Sequence, residues 1–148
     1  MSDSIFAIAR SGLDVERQRM EVIAQNLANA GTTRTAMGET YRPIRLVSGP
    51  RIGTTFADHM RPAATRADQE MTGVQSYGVE RVDTPPRLVY DPAHPHADTK
   101  GFVTYPGIDH AGEMALMVQT LRTYEADTVM FNAARTMYMR ALDLGNRS

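Results

Sequence analysis

The stretch that decides the fold is residues 4–31, SIFAIARSGLDVERQRMEVIAQNLANAG. Its apolar side chains recur every three or four positions, interrupted only at Glu16, which is the stride of a coiled-coil-like helix. They are Phe6, Ala9, Leu13, Met20, Ile23, Leu27 and Ala30. The pattern predicts a helix over residues 4–30, with Asp3 or Ser4 as its N-cap. Gly31 is expected in the left-handed position just past the helix end.

A second row of side chains lies about 100° around the same helix, and it is half apolar and half polar. Its members are Ile5, Ile8, Gly12, Val15, Arg19, Val22, Asn26 and Asn29. A helix with two such rows has two faces that need a partner. The amides of Asn26 and Asn29 can both donate and accept hydrogen bonds, so they can bind a neighbouring chain or simply form a polar helix end. The residues alone favour neither interpretation.

A second long helix is predicted over residues 109–144, which contain no proline. Asp109 is its expected N-cap, Glu113 complements the helix dipole in the first turn, and Gly145 terminates it. Its apolar stripe drifts around the axis and leaves more than one face apolar. The stripe consists of Met114, Met117, Leu121 and Tyr124, then Met130, Ala134, Met137, Ala141 and Leu144, with Phe131, Tyr138 and Leu142 on a further face. Such a surplus favours contacts with partners, and the alternative is an intramolecular antiparallel pair with one weakly amphipathic face.

The segment between the two helices holds all eight prolines and reads as β structure. Short strands are predicted over residues 41–47, 74–82, 87–90 and 102–105, with a β-bulge at Gly78. Residues 48–72 have few large apolar side chains and are expected to form a loop.

The expected fold class is therefore mostly α with a small antiparallel β insertion. Residues 1–31 and 109–148 are predicted to pair as an antiparallel coiled-coil-like inner domain. Residues 32–108 form a β-rich outer domain with a flexible loop at about 48–72.

Composition excludes several classes of protein. The formal net charge of −1, with both signs interspersed, argues against a nucleic-acid binder, and the absence of cysteine excludes disulfides and thiolate metal sites. No stretch is apolar enough for a membrane span, and the N-terminus lacks the features of a cleavable signal peptide, so we expect a soluble chain without one. Ten methionines indicate adaptable packing, either in a core or at an interface.

The strongest candidate for chemistry is DPAHPHAD, residues 91–98. His94 and His96, flanked by Asp91 and Asp98, can ligate zinc or iron. Proline-rich segments form turns, however, and polar residues collect in turns for structural reasons. The chain also lacks phosphate-binding and nucleophile motifs, so we predict no catalytic residue, no metal and no cofactor.

Four segments together resemble a known family: SGLDVERQRMEVIAQNLANAGT, YRP, LVYDPAHPHADTKGFVTYPGID and RTYEADTVMFNAARTMYMRALDLG. They are similar to the flagellar axial proteins and, within them, to the FlgC family of proximal rod proteins of the flagellar basal body. The resemblance implies a structural subunit that is not an enzyme and that assembles helically with other axial proteins into the periplasmic drive shaft and export channel. The alternatives are another axial component, such as a different rod or hook protein, or a paralogue that serves a second flagellar system.

The same resemblance implies partners. They are copies of the chain itself, other rod proteins, the base adaptor and MS-ring junction, and the flagellar type III export apparatus, without nucleic acid or membrane insertion. The subunit interface is expected to include Val15, Val22, Asn26, Leu27, Asn29, Met117, Leu121, Tyr124, Phe131, Asn132, Met137 and Leu144.

Overall fold

Two long helices, one at each end of the chain, flank four short strands in the computed structural model. The structure describes residues 2–51 and 73–145, with only the backbone of residues 2–4. The elements in chain order are α1 Ser2–Ala28, β1 Ile44–Pro50, β2 Val74–Arg81, β3 Arg87–Tyr90, β4 Phe102–Tyr105 and α2 His110–Gly145. The predicted class, mostly helical with a small antiparallel β insertion, is confirmed. The predicted loop lies for the most part outside the described residues, but its first part, residues 48–50, belongs to β1.

The two helices pack antiparallel. The Phe6 ring lies between the rings of Phe131 and Tyr138, with centroid distances of 5.6 and 5.8 Å. At the opposite end, Asn26 Nδ2 lies 3.3 Å from Glu113 Oε2. Each edge-to-face aromatic pair contributes about 0.5–1.5 kcal/mol beyond the area it buries. At 1.5 Å per residue, the 27 residues of α1 span about 40 Å and the 36 residues of α2 about 54 Å, so α2 is the longer by about two and a half turns.

The start of α2 forms as predicted, whereas the end of α1 differs from its prediction. Asp109 caps α2, because its Oδ1 accepts the Ala111 N–H at 3.1 Å. The expectation of a left-handed Gly31 is wrong, since the positive-φ glycines among the described residues are Gly38, Gly73, Gly78 and Gly101. The end of α1 closes instead through the Asn29 N–H, which bonds to the carbonyls of Gln25 at 3.1 Å and Asn26 at 3.2 Å. The side chains of Asp3 and Ser4, its predicted caps, lie outside the described residues.

The strands form two separate antiparallel sheets, β1–β2 and β3–β4. In the first sheet Val47 pairs with Gly78 and the next residue, Ser48, pairs with Ser76. Tyr77 is thus the extra residue of a β-bulge, and the adjacent Gly78 has a φ of +120°. The predicted bulge is confirmed, and β1 begins at Ile44, three residues later than predicted.

The β1–β2 sheet packs on α1. Four side chains of α1 bond to it. Ser11 Oγ accepts the Val74 N–H at 3.0 Å, Gln18 Oε1 accepts from Ser76 at 2.6 Å, and Arg19 donates to Ser48 at 3.1 Å. The fourth, Asn26, bonds to the backbone of Ile44. The helix is therefore held between α2 on one side and its own sheet on another. The most buried side chains lie mainly in this sandwich, namely Ser11, Val15, Val22, Ile23, Asn26, Glu113 and Thr120, and Val103 of β4 is buried as well.

Candidate assembly interface

Asn26 lies at the point where α1, α2 and β1 meet, and no part of its side chain is exposed. Its Nδ2 donates to the Ile44 carbonyl at 2.9 Å and to Glu113 Oε2 at 3.3 Å. Its Oδ1 accepts from the Tyr41 hydroxyl and from the Ile44 N–H, both at 3.0 Å. An amide has two donor hydrogens and one oxygen with two lone pairs, so all four positions are filled within the chain. Asn26 thus joins three elements of one subunit.

Glu113 supplies the charge at this junction. Only 4% of it is exposed, and it pairs with Arg45 of β1 as well as with Asn26. Burial of a carboxylate is costly unless it is paired and hydrogen-bonded, and both conditions are met. Burial, followed by the negative charge of Glu113, raises the pKa of the Tyr41 hydroxyl above its ordinary value of 10.0. Tyr41 therefore stays protonated and able to donate to Asn26.

Asn29 has a different and more local role. Its Nδ2 donates to the Gln25 carbonyl at 2.9 Å, and its Oδ1 accepts from the Thr32 hydroxyl at 3.2 Å. Both partners belong to the end of α1 or the turn after it. Leu27, between the two amides, is half-buried. The two asparagines thus differ, because one fixes the tertiary junction and the other closes a helix end.

The middle of the second row of α1, at Val15 and Val22, is covered by the chain's own sheet, whereas Ile5 and Ile8 at its start are exposed. Val15 and Val22 are 4% and 8% exposed and lie on the same helix face as Ser11 and Gln18, which bond to Val74 and Ser76 of β2. For these two valines and for Asn26, the structure supplies partners inside the subunit. Whether they also contribute to an interface stays a prediction.

The face of α2 that packs on α1 follows a stride of four and three residues that the sequence interpretation did not find. Its positions are Glu113, Met117, Thr120, Tyr124, Asp127, Phe131, Ala134 and Tyr138. All except Tyr138 are buried or half-buried, and Tyr138 is 38% exposed. Three of the eight are polar, which hid the seam from a search for apolar residues. Three predicted interface residues, Met117, Tyr124 and Phe131, belong to this intramolecular seam.

The outer surface of α2 carries many exposed apolar side chains. They are Met114, Val118, Leu121, Val129, Met130, Met137, Met139, Leu142 and Leu144. The remaining four predicted interface residues, Leu121, Asn132, Met137 and Leu144, are all exposed on this helix. Exposed apolar surface of this extent on one helix is characteristic of a protein–protein contact. Within the described residues, neither helix is long and apolar enough to cross a membrane.

The histidines of the proline-rich turn are engaged with each other and with the turn after α1. His94 Nδ1 accepts the His96 N–H at 3.0 Å, and His96 Nδ1 lies 2.8 Å from the Thr33 hydroxyl. Asp98 Oδ1 accepts two backbone N–H groups, from Lys100 and Phe102, each at 2.8 Å. Among the described residues no three such side chains are grouped to hold a metal ion. The segment forms a turn before β4, and His96 in it contacts Thr33 in the turn after α1.

Comparison with known proteins connects these helices to one apparatus. A family model described as "Flagella basal body rod protein" matches residues 6–34, and one described as "Flagellar basal body rod FlgEFG protein C-terminal" matches residues 99–144. The flagellar basal-body rod protein FlgC of Borreliella burgdorferi is 33% identical over 145 residues, with 91% of each chain covered. That of Escherichia coli O6:H1 is 34% identical over 142 residues, with 96% of each covered, and that of Bacillus subtilis is 34% identical with 93% of this chain and 94% of the other covered.

The chain belongs to the flagellar basal-body rod protein FlgC family. The two segments of this FlgC-family chain that match family models include most of α1 and of α2, the helices that pack together. The resemblance stated from the sequence is therefore confirmed.

Sequence reasoning missed three residues of the junction, Tyr41, Arg45 and Glu113. Arg45 and Glu113 are 68 positions apart, and no periodic pattern connects them. The one local signal is the position of Glu113 in the first turn of α2, where a carboxylate is favoured. In this FlgC-family chain, the junction connects α1, α2 and β1 through hydrogen bonds and one ion pair.

Proposed function

We propose that the chain is a structural subunit of the flagellar proximal rod and has no catalytic activity. The observation that carries the proposal is similarity at 33–34% identity to FlgC rod proteins over more than nine-tenths of the chain. The exposed apolar surface of α2 supports it, because a subunit in a multi-chain assembly needs such a surface.

In the proposed rod, each subunit contacts copies of itself and other rod proteins through α2. The exposed residues Leu121, Asn132, Met137 and Leu144 are the part of the predicted interface best placed for this role. Exposed methionines allow one helix to pack against neighbours of slightly different shape, as a helical assembly of several proteins requires. The contacts would be heterologous, so the assembly can extend.

The finer placement is also a proposal. We place the rod in the periplasm, with the base adaptor and MS-ring junction as the neighbour at one end, and we assign delivery of the chain to the flagellar type III export apparatus. Membership of the FlgC family supports these assignments more than a role as another axial component, since relatives matched over 91% and 96% of their length bear that name.

A deletion strain tests the proposal. We expect cells without the chain to lack a complete rod and to be non-motile, and the wild-type gene to restore both. The matched variant, His94→Ala with His96→Ala, removes the two candidate metal ligands. When it is expressed in the deletion strain, we expect it to restore motility as well. Intact flagella in the deletion strain would disprove the rod assignment. Motility that depends on both imidazoles and on added zinc would favour a metal-dependent function instead.

A further inference from the structure

An apolar groove of about 410 Å³ lies where the first turns of α1 pack against α2. Its principal apolar lining residues are Ile5, Ile8, Ala9, Met130, Phe131 and Ala134. One charged group, the carboxylate of Asp127, also lines it, and a Cβ added to Gly12 would lie 3.6 Å from its Oδ2. Among the described residues, Asp127 has no ion-pair partner. A half-buried carboxylate beside apolar side chains is best stabilised by a cation.

The C-terminal end of α2 carries a surface of complementary character. Tyr138 still contacts Phe6, but α1 begins at Ser2, and α2 continues to Gly145, about 10 Å beyond Tyr138. Met137, Arg140 and Leu144 are spaced three and four apart and share one face of this end. Met137 and Leu144 are 66% and 71% exposed, and Arg140 is exposed without an ion-pair partner in the described residues. The surface is thus an arginine between two apolar side chains.

Asp127 and Arg140 of one chain cannot meet each other. Asp127 and Arg140 lie on the same continuous helix, 13 residues apart, which separates them by about 20 Å along its axis. Only a second molecule can bring the arginine to the carboxylate.

We propose that the Met137–Arg140–Leu144 surface of one copy docks into the Asp127 groove of a second copy. The methylene stem of Arg140 is apolar and matches the groove walls, while its guanidinium group can bind a carboxylate through two hydrogen bonds. Because the two surfaces differ, the contact is heterologous and can repeat from one copy to the next. The proposal rests on the rod function proposed above and adds which surfaces meet.

Disulfide crosslinking tests this contact directly, since the chain has no cysteine of its own. We expect the variant Ile8→Cys with Met137→Cys to give covalent dimers and longer multimers of the chain in isolated basal bodies. The matched control is Ile8→Cys with Met139→Cys. Met139 is 53% exposed. It lies two positions after Met137, which is about 200° around the helix axis, so it faces the other way.

Charge exchange gives a second test. Asp127→Arg and Arg140→Asp should each lower the crosslinking yield about tenfold or more, and the double variant should restore it. Circular dichroism of each variant shows whether its helices are intact. Basal bodies that contain the chain but show no Met137 crosslink, an equal Met139 crosslink, or a crosslink only to a different protein would overturn the docking proposal and leave the rod function standing. Absence of the chain from basal bodies would overturn the rod function itself.

Discussion

Replacing Asn26 by alanine should destabilise the folded subunit far more than the same replacement at Asn29. Asn26 makes four hydrogen bonds, to Tyr41, Glu113 and both backbone polar groups of Ile44. At about 1 kcal/mol net for each bond, the loss is about 4 kcal/mol, a large part of the 5–15 kcal/mol that holds an ordinary domain together. The free energy of unfolding can be measured by urea denaturation followed by circular dichroism.

Asn29→Ala is the matched control, because it removes the same amide one turn further along the chain. Its two side-chain bonds are local to the helix end, so we expect a loss below about 1 kcal/mol. Equal losses in the two variants, or a loss below about 1 kcal/mol for Asn26→Ala, would show that the junction does not hold the three elements together.

Three further variants probe the same region. The unmodified chain should lose stability at high pH as the Tyr41 hydroxyl ionises, and Tyr41→Phe should abolish that loss. The pKa of this hydroxyl is raised above 10.0 in the folded state, so its stabilising effect is complete below that pH and disappears as pH rises through the raised pKa; unfolding at a series of alkaline pH values measures it. Glu113→Gln keeps an acceptor but removes the charge that pairs with Arg45, and should cost about 1–2 kcal/mol in the same urea assay, whereas no change would show the pair to be without net effect. Gly73→Ala should cost about 1–3 kcal/mol, because Gly73 has a φ of +100° and a Cβ there would lie 2.2 Å from Ser11 Oγ; Gly31→Ala, with open space around it, is the control and should be nearly neutral.

Much of the secondary structure follows from local pattern. The helix stride from Phe6 to Ala30 and the cap at Asp109 depend on residues that are close in sequence, and both helices form within two residues of their predicted bounds. The strands Arg87–Tyr90 and Phe102–Tyr105 also match their predicted ranges. In each case the decisive interactions are short in range, so a single sequence contains them.

The packing could not be predicted in the same way. The middle of the second row of α1, at Val15 and Val22, is covered by β1–β2, and nothing in the periodicity indicates whether the cover comes from the same chain or another. The stride of α2 includes Glu113, Thr120 and Asp127, and a search for apolar residues passes over all three. Glu113 is acceptable at a buried position because Asn26, 87 residues away, and Arg45 supply its partners. Such partners are known only once the fold is known.

The surplus of apolar helix surface, which first suggested partners, now has a location. For α1 much of it is covered by the chain's own sheet. For α2 it remains exposed along the outer surface and at the projecting end near Leu144. The proposed assembly therefore depends mainly on α2, and the Asn26 junction supports it by fixing α2 against α1 and β1.

The rod assignment is tested most directly by quantifying this chain in basal bodies purified from its own host. Mass spectrometry with labelled reference peptides measures its amount relative to other rod proteins, in wild-type cells and in cells whose export apparatus is inactive. We predict a constant ratio to the other rod proteins in wild-type basal bodies and none of the chain in structures from the export-deficient cells. Complete, motile flagella whose basal bodies contain none of this chain would contradict the assignment.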